Sequence, residues 1–291
     1  MSDTYTIERT PAGNNVVVIG DWTPGAAVPL MDGRADGLVL NYAKGFKSGG
    51  SLDFMTSDLP VARLYLLDRG IEDPTPIANL GQHLCHVSLA IAPGVELDLK
   101  LTPNVRSVAA AWPAIEKSVR FAGGLEVIST TKYDATDLLP VCTHTSLRIL
   151  QIKEAPELET LMGLSSLRDL ETLRLMWAVR LHDISALCAV AETLTELRME
   201  RCRAVKSLND VGQLTNLRSL EFSDGSEVPS LAPLARLEKL ETLHLWGTTH
   251  PVNNDLSPLV NLKHLRDFRM KSRREYQPPV AEIRGARVTG R

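Results

Sequence analysis

From residue 147 onward, apolar residues fall in a fixed rhythm: Leu147-Leu150-Ile152, Leu170-Leu173-Leu175, Leu194-Leu197-Met199, Leu217-Leu220-Phe222, Leu240-Leu243-Leu245 and Leu265-Phe268-Met270. The first residues of successive groups are 23, 24, 23, 23 and 25 apart. Two periods lie inside each unit. The last two apolar residues alternate, which places them on one face of a short strand. Before them the leucines come every third residue, as in Leu158, Leu161, Leu164, Leu167 and Leu170, or Leu231, Leu234, Leu237 and Leu240. That period predicts a helical or 3-10 limb packed behind the strand. One such unit cannot bury its own apolar edge, but a stack of them buries a continuous core.

The first half repeats the pattern less regularly, in Val61-Leu64-Leu66, Leu84-Val87-Leu89, Val105-Val108-Ala110 and Leu125-Ile128-Thr130. Here further alternating runs, Leu52-Phe54, Leu97-Leu99-Leu101 and Val119-Phe121, fall about where the outer limb belongs. They predict strand-on-strand packing in the early repeats and short outer helices only in the later ones. A separate N-terminal β domain is the alternative.

The LxxLxL groups, with stretches such as SLAPLARLEKLETLHLWGT and DLSPLVNLKHLRDFRM, resemble the leucine-rich-repeat family, in its short 22–23-residue, bacterial-type, free-standing class. The resemblance implies an α/β solenoid, a right-handed superhelix whose parallel sheet lines the concave side. It implies one domain over 1–291, with a cap at 1–34, repeats at 35–273 and a cap or tail at 274–291. The family's asparagine at the ninth position is missing: Ala155, Ala178, Cys202, Gly225, Thr248 and Arg273 stand there. Cys202 and Thr248 are tolerated substitutes, and the others predict an irregular spiral.

The register also maps an exposed inner surface, because positions three, five, seven and eight of each group project away from the core. In the last six repeats, six basic residues there (Lys153, Arg174, Arg198, Arg201, Arg269, Lys271) face six acidic ones (Glu154, Glu196, Glu200, Glu221, Asp224, Asp267). A balanced face does not suit a nucleic-acid backbone, which rewards a basic stripe. Half of these charges are expected to pair across strands. Of four tryptophans, three (Trp112, Trp177 and Trp246) map to this face, Trp112 and Trp177 at the same eighth position. Exposed Trp, Tyr and Arg are the residue types that dominate protein interfaces. The expected partner-binding set is therefore Tyr65, Trp112, Arg174, Trp177, Arg198, Arg201, Glu221, His244, Trp246 and Arg269, on a protein monomeric when free.

Composition excludes several classes. The chain has 291 residues, 44% of them hydrophobic, and a net charge of −3. Nothing at the start resembles a signal peptide, and no apolar run approaches the roughly 18 residues of a membrane helix. The four cysteines show no CxxC pair and read as reduced, buried thiols of a cytoplasmic protein. The lysine and glycines of KGFKSGG at 44–50 lack phosphate-loop order, and neither a nucleophile elbow nor an HExxH helix occurs. His83, Cys85 and His86 sit on a strand whose neighbours point to opposite faces, so they cannot converge on a metal. No cofactor or metal is expected. The reading is a non-catalytic recognition module for a protein partner, such as a toxin-neutralising immunity protein or a regulatory scaffold. Two alternatives stay open: an enzyme site near His86, Trp112 and Lys132, and self-association through the concave aromatics.

Overall fold

The computed structural model describes residues 4–47 and 49–283. The chain forms two compact units, residues 1–130 and 131–291. In the first, β1 (Tyr5–Thr10) and β2 (Gly13–Val18) make an antiparallel hairpin, followed by α1 (Pro24–Met31). Then β3 (Gly37–Asn41), β4 (Arg63–Leu67), β5 (His86–Ala90) and β6 (Ser107–Ala111) add in parallel, one after another. Val16, Leu38, Leu64, Val87 and Val108 are register partners along this sheet, and all are fully buried. After β6 come α2 (Trp112–Val119) and β7 (Val127–Thr131), which spans the boundary between the units.

The second unit carries β8 (Ile149–Lys153), β9 (Thr172–Met176), β10 (Glu196–Glu200), β11 (Ser219–Ser223), β12 (Glu227–Val228), β13 (Thr242–Leu245), β14 (His250–Pro251) and β15 (Asp267–Met270). Strands β8, β9, β10, β11, β13 and β15 form a parallel sheet in that order. The leucine ladder runs Leu150, Leu173, Leu197, Leu220, Leu243, Phe268, each opposite the next. Parallel pairing with no register slip requires a repeat of nearly constant length, and the leucine spacing supplies it.

The period-three leucines explain the limb behind this sheet. The N–H groups of Leu164, Leu167 and Leu170 donate to the carbonyls of Leu161, Leu164 and Leu167, and Leu234, Leu237 and Leu240 do the same from Leu231. These are i to i+3 bonds, the 3-10 pattern, in which residues three apart eclipse and stack on one face. All of these leucines are buried. Short polar side chains start the turns: Asp183 Oδ1 accepts from the Ser185 N–H (2.9 Å) and Asp255 Oδ1 from the Ser257 N–H (2.9 Å). The Ser185 and Ser257 side chains first, and these N–H groups after them, hold both carboxyls below the ordinary aspartate range.

The early outer limb is not made of strands. Leu99–Leu101 is a 3-10 turn, residues 52–54 are irregular, and Val119 ends α2. The alternation at Leu97-Leu99-Leu101 loses to local chemistry, because Asp98 accepts from the Lys100 N–H and tightens the chain into a turn. Similarly, Ser51 Oγ accepts from the Asp53 N–H at 3.0 Å. The outer strand pair that does form, β12 with β14, lies in the late repeats instead.

The missing asparagine is replaced in more than one way. Ala155, Ala178 and Cys202 are fully buried, so they fill the site with apolar volume. Thr248 Oγ1 donates to the Gly225 carbonyl (2.8 Å), and Thr249 Oγ1 accepts from the Gly225 N–H (3.0 Å). After β15, Tyr276, Val280 and Ile283 are buried, while Arg284, Arg287 and Arg291 lie outside the described residues.

Candidate protein-binding face

In the second unit, alternate side chains of each strand point away from the leucine core. One row across the sheet reads Gln151, Arg174, Arg198, Glu221, His244, Arg269. These charges largely satisfy one another. Arg174 holds Glu196 with two bonds, Nε to Oε1 at 2.7 Å and Nη2 to Oε2 at 3.2 Å, which raises the arginine pKa further. Arg198 bridges Glu200 (2.9 Å) and Glu221 (3.3 Å). Asp267 receives Arg269 Nε on one oxygen and His244 Nε2 on the other, both at 2.9 Å. The Arg269 bond first, and His244 after it, hold the Asp267 carboxyl below the usual range. Partly exposed pairs of this kind stabilise by about 0–1 kcal/mol each.

A second row stands at the exit of the strands. Lys132, Glu154, Trp177, Arg201 and Asp224 all have left-handed backbone, with φ between 48° and 57°, and Gly247 follows with φ 66°. Lys132, Trp177, Arg201 and Asp224 turn the chain off the sheet while their N–H groups still reach the next repeat, as Trp177 does to Glu200 O (2.8 Å) and Arg201 to Ser223 O (2.9 Å). Non-glycine residues adopt this conformation at a cost of roughly 1–2 kcal/mol. Only Gly247 announces the row in the sequence, so the rest of it was not legible there.

This geometry decides the fate of the tryptophans. Trp177 is 46% exposed and Trp246 43% exposed. The Arg201 guanidinium lies 5.2 Å from the Trp177 ring centre, a cation–π arrangement, and its Nε is 4.0 Å from Asp224. Trp246 stands at the end of β13, three strands beyond β9, or roughly 14 Å along the sheet.

Trp112 departs from expectation. Although it shares Trp177's repeat position, it is fully buried at the start of α2, with Pro113 behind it. Proline's fixed φ favours a helix start, so the chain turns into the outer limb and the ring follows it into the core, out of reach of a partner. Elsewhere in the first unit, the half-buried Tyr65 ring tilts against His86 at 4.9 Å. His86 Nδ1 lies 2.9 Å from Ser107 Oγ, and burial, helped by the Arg63 charge, pushes its pKa down.

The thiols are free, and they are not uniformly buried as expected: Cys85 and Cys188 are exposed and Cys142 is intermediate. Burial pushes the Cys202 thiol up to about 12, so it stays protonated. Cys85 Sγ bonds to the His83 carbonyl (3.4 Å) while His86 engages Ser107, so the three do not converge. Among the described residues no group of three acidic, His or Cys side chains is placed to hold a metal. No described helix is long and apolar enough to cross a membrane.

No family model matches the sequence, and no curated protein matches it. Solved structures do match. An internalin, InlF, of Listeria monocytogenes superposes with a TM-score of 0.62 at 17% identity, covering 88% of this chain and 74% of its own. The receptor kinase HAESA of Arabidopsis, solved with the peptide hormone IDA and the co-receptor SERK1, superposes at 0.50 and 16% identity, covering 68% of this chain and 35% of its own. At such identities the likeness speaks for architecture alone. Together with the leucine ladder and the consecutive parallel strands, it establishes that the chain has the leucine-rich-repeat fold.

Proposed function

We propose that the chain works by binding rather than catalysis, and that it holds a folded protein partner against the open sheet face of its second unit. The observation that carries this reading is the pair of large aromatic rings, Trp177 and Trp246, standing in solvent on one sheet. Indoles left nearly half exposed keep a large apolar surface in water, and such rings rank among the strongest anchors of protein interfaces. Arg201, stacked on Trp177, is the third anchor. Arg174, Arg198, Glu221, His244 and Arg269 form the paired polar surround, which rejects partners of mismatched charge rather than supplying most of the affinity. Tyr65 is the contact we assign in the first unit. The receptor kinase HAESA, similar to this chain in fold, is solved in complex with a peptide hormone and a co-receptor, which is in keeping with this role.

Within that class, toxin neutralisation by occlusion is the role we favour, with a regulatory scaffold second. The two exposed free thiols, Cys85 and Cys188, suit a reducing compartment such as the cytoplasm. The test is affinity capture from the native host lysate with three baits: wild type, Trp177→Ala with Trp246→Ala, and Glu238→Ala on the outer limb. Quantitative mass spectrometry should find a protein retained by the first and third baits and lost from the second. Equal retention by all three overturns the assignment of the face.

A further inference from the structure

Beside Trp246, the loops that follow the strands enclose a cleft of about 960 Å³. Arg203 and Lys206 line it from the β10 repeat, and Lys271 and Arg273 from the β15 repeat. Gly225 and Gly247 lie between them. We propose that this cleft binds an acidic polypeptide segment, a run of aspartate and glutamate side chains on the partner. The inference rests on the binding role proposed above and names the chemistry of what the partner presents.

The first argument is pairing. Many arginines of this unit meet carboxylates, among them Arg148 with Glu171, Arg174 with Glu196, Arg218 with Glu241 and Arg269 with Asp267. Among the described residues, the four cations of the cleft have no ion-pair partner, in a chain whose net charge is −3. The nearby acids are already engaged. Glu227 meets His250 Nε2 at 3.2 Å, and Asp224 is turned toward Arg201 at 4.0 Å. Four cations against one lining carboxylate leave a positive field over this open cleft.

The second argument is shape. At the strand exits of other repeats, Trp177 and Arg201 stand out from the surface; here Gly247 takes that position and Gly225 the next one along its own repeat. Both positions are crowded by a neighbouring side chain. A Cβ on Gly247 would lie 1.7 Å from Asp224 Oδ1, and one on Gly225 would lie 2.6 Å from the Phe222 ring. Gly225 and Gly247 therefore add no side chains of their own to the middle of the cleft, and the Asp224 carboxylate lies against Gly247.

Length selects the ligand class. The cations lie on repeats three strand spacings apart, roughly 14 Å, which an extended peptide covers in about four to five residues. A single phosphate cannot reach both ends. Gly247, which lines the cleft, follows Trp246 directly in the chain.

The test is fluorescence anisotropy with the full chain and a labelled octapeptide of alternating glutamate and serine, blocked at both ends. The peptide should bind saturably in about 50 mM salt and dissociate as screening shortens the reach of the charges. Replacing Arg203→Gln with Lys206→Gln, or Lys271→Gln with Arg273→Gln, should each weaken it by about tenfold or more, with an unchanged circular-dichroism spectrum. A lysine–serine peptide should not bind. Absence of binding by the acidic peptide, or an affinity unchanged in both double variants, overturns the proposal. So does displacement by inorganic tripolyphosphate at lower concentrations than unlabelled peptide, which would make the cleft a phosphate site. The tryptophan double variant should retain the peptide, so a failure of the cleft and a failure of the sheet face read out separately.

Discussion

Leu197 and Leu220 test the register of the sheet, and with it every assignment of the open face. They are direct partners on β10 and β11, and each is fully buried. Truncating either to alanine removes three carbons from a site with no water beside it, at a cost of about 2–5 kcal/mol. The intervening residue, Arg198, points to the opposite face, where its pairs are part-exposed; Arg198→Ala should cost no more than about 1 kcal/mol. A one-residue slip would exchange these two magnitudes, because adjacent strand residues face opposite ways. The double variant, Leu197→Ala with Leu220→Ala, joins two cavities across one strand spacing, so its cost should depart from the sum by about 0.5 kcal/mol or more. The assay is urea unfolding followed by circular dichroism and by tryptophan fluorescence, with the shift in midpoint multiplied by m. If both leucine variants lose less than about 1 kcal/mol while Arg198→Ala loses more than 2, the register is wrong and the face must be redrawn.

Other outcomes follow from the same structure. Trp177→Ala and Trp246→Ala should each lower stability by no more than about 1–2 kcal/mol, since the rings are nearly half exposed, yet weaken partner binding by about 2 kcal/mol or more, with Glu238→Ala as the neutral control. Variants that unfold the chain without changing affinity per folded molecule would identify the rings as packing residues. His86, held neutral by burial, should make the chain less stable as pH falls below about 6.5: the unfolded imidazole takes up a proton there that the folded one refuses. Its contribution is complete above that pH and is lost down to the lower folded pKa; His86→Gln should flatten this part of the urea midpoint–pH curve, and an identical curve would refute it. Gly163, with φ 102° and a Cβ position 2.8 Å from the Leu138 carbonyl carbon, should not accept alanine; Gly163→Ala should lower stability by more than about 1 kcal/mol, and a neutral result would mean that this turn can rearrange.

The sequence by itself determined the repeat. A constant spacing of LxxLxL groups predicts parallel strands stacked in register, and the period-three leucines predict a helical or 3-10 limb behind them, which the structure resolves as 3-10 turns. Both follow from side-chain periodicity, which is local. It also marked most of the open face, because strand residues alternate without regard to their neighbours. Tertiary structure decided what periodicity does not encode. The alternating run at Leu97-Leu99-Leu101 reads as strand, but the Asp98 side chain bonds the following backbone and makes a turn. Trp112 and Trp177 occupy equivalent repeat positions, yet one enters a helix and the core while the other, at φ 57°, is turned out to solvent. The left-handed row from Lys132 to Asp224 has no glycine to reveal it, and hydrogen bonds to the next repeat hold Lys132, Trp177, Arg201 and Asp224 there against their own preference. The cations of the cleft, Arg203, Lys206, Lys271 and Arg273, lie up to 70 residues apart in the chain. Only stacking of the repeats brings them around one concavity, because the proximity of side chains from different repeats is a property of the assembled sheet.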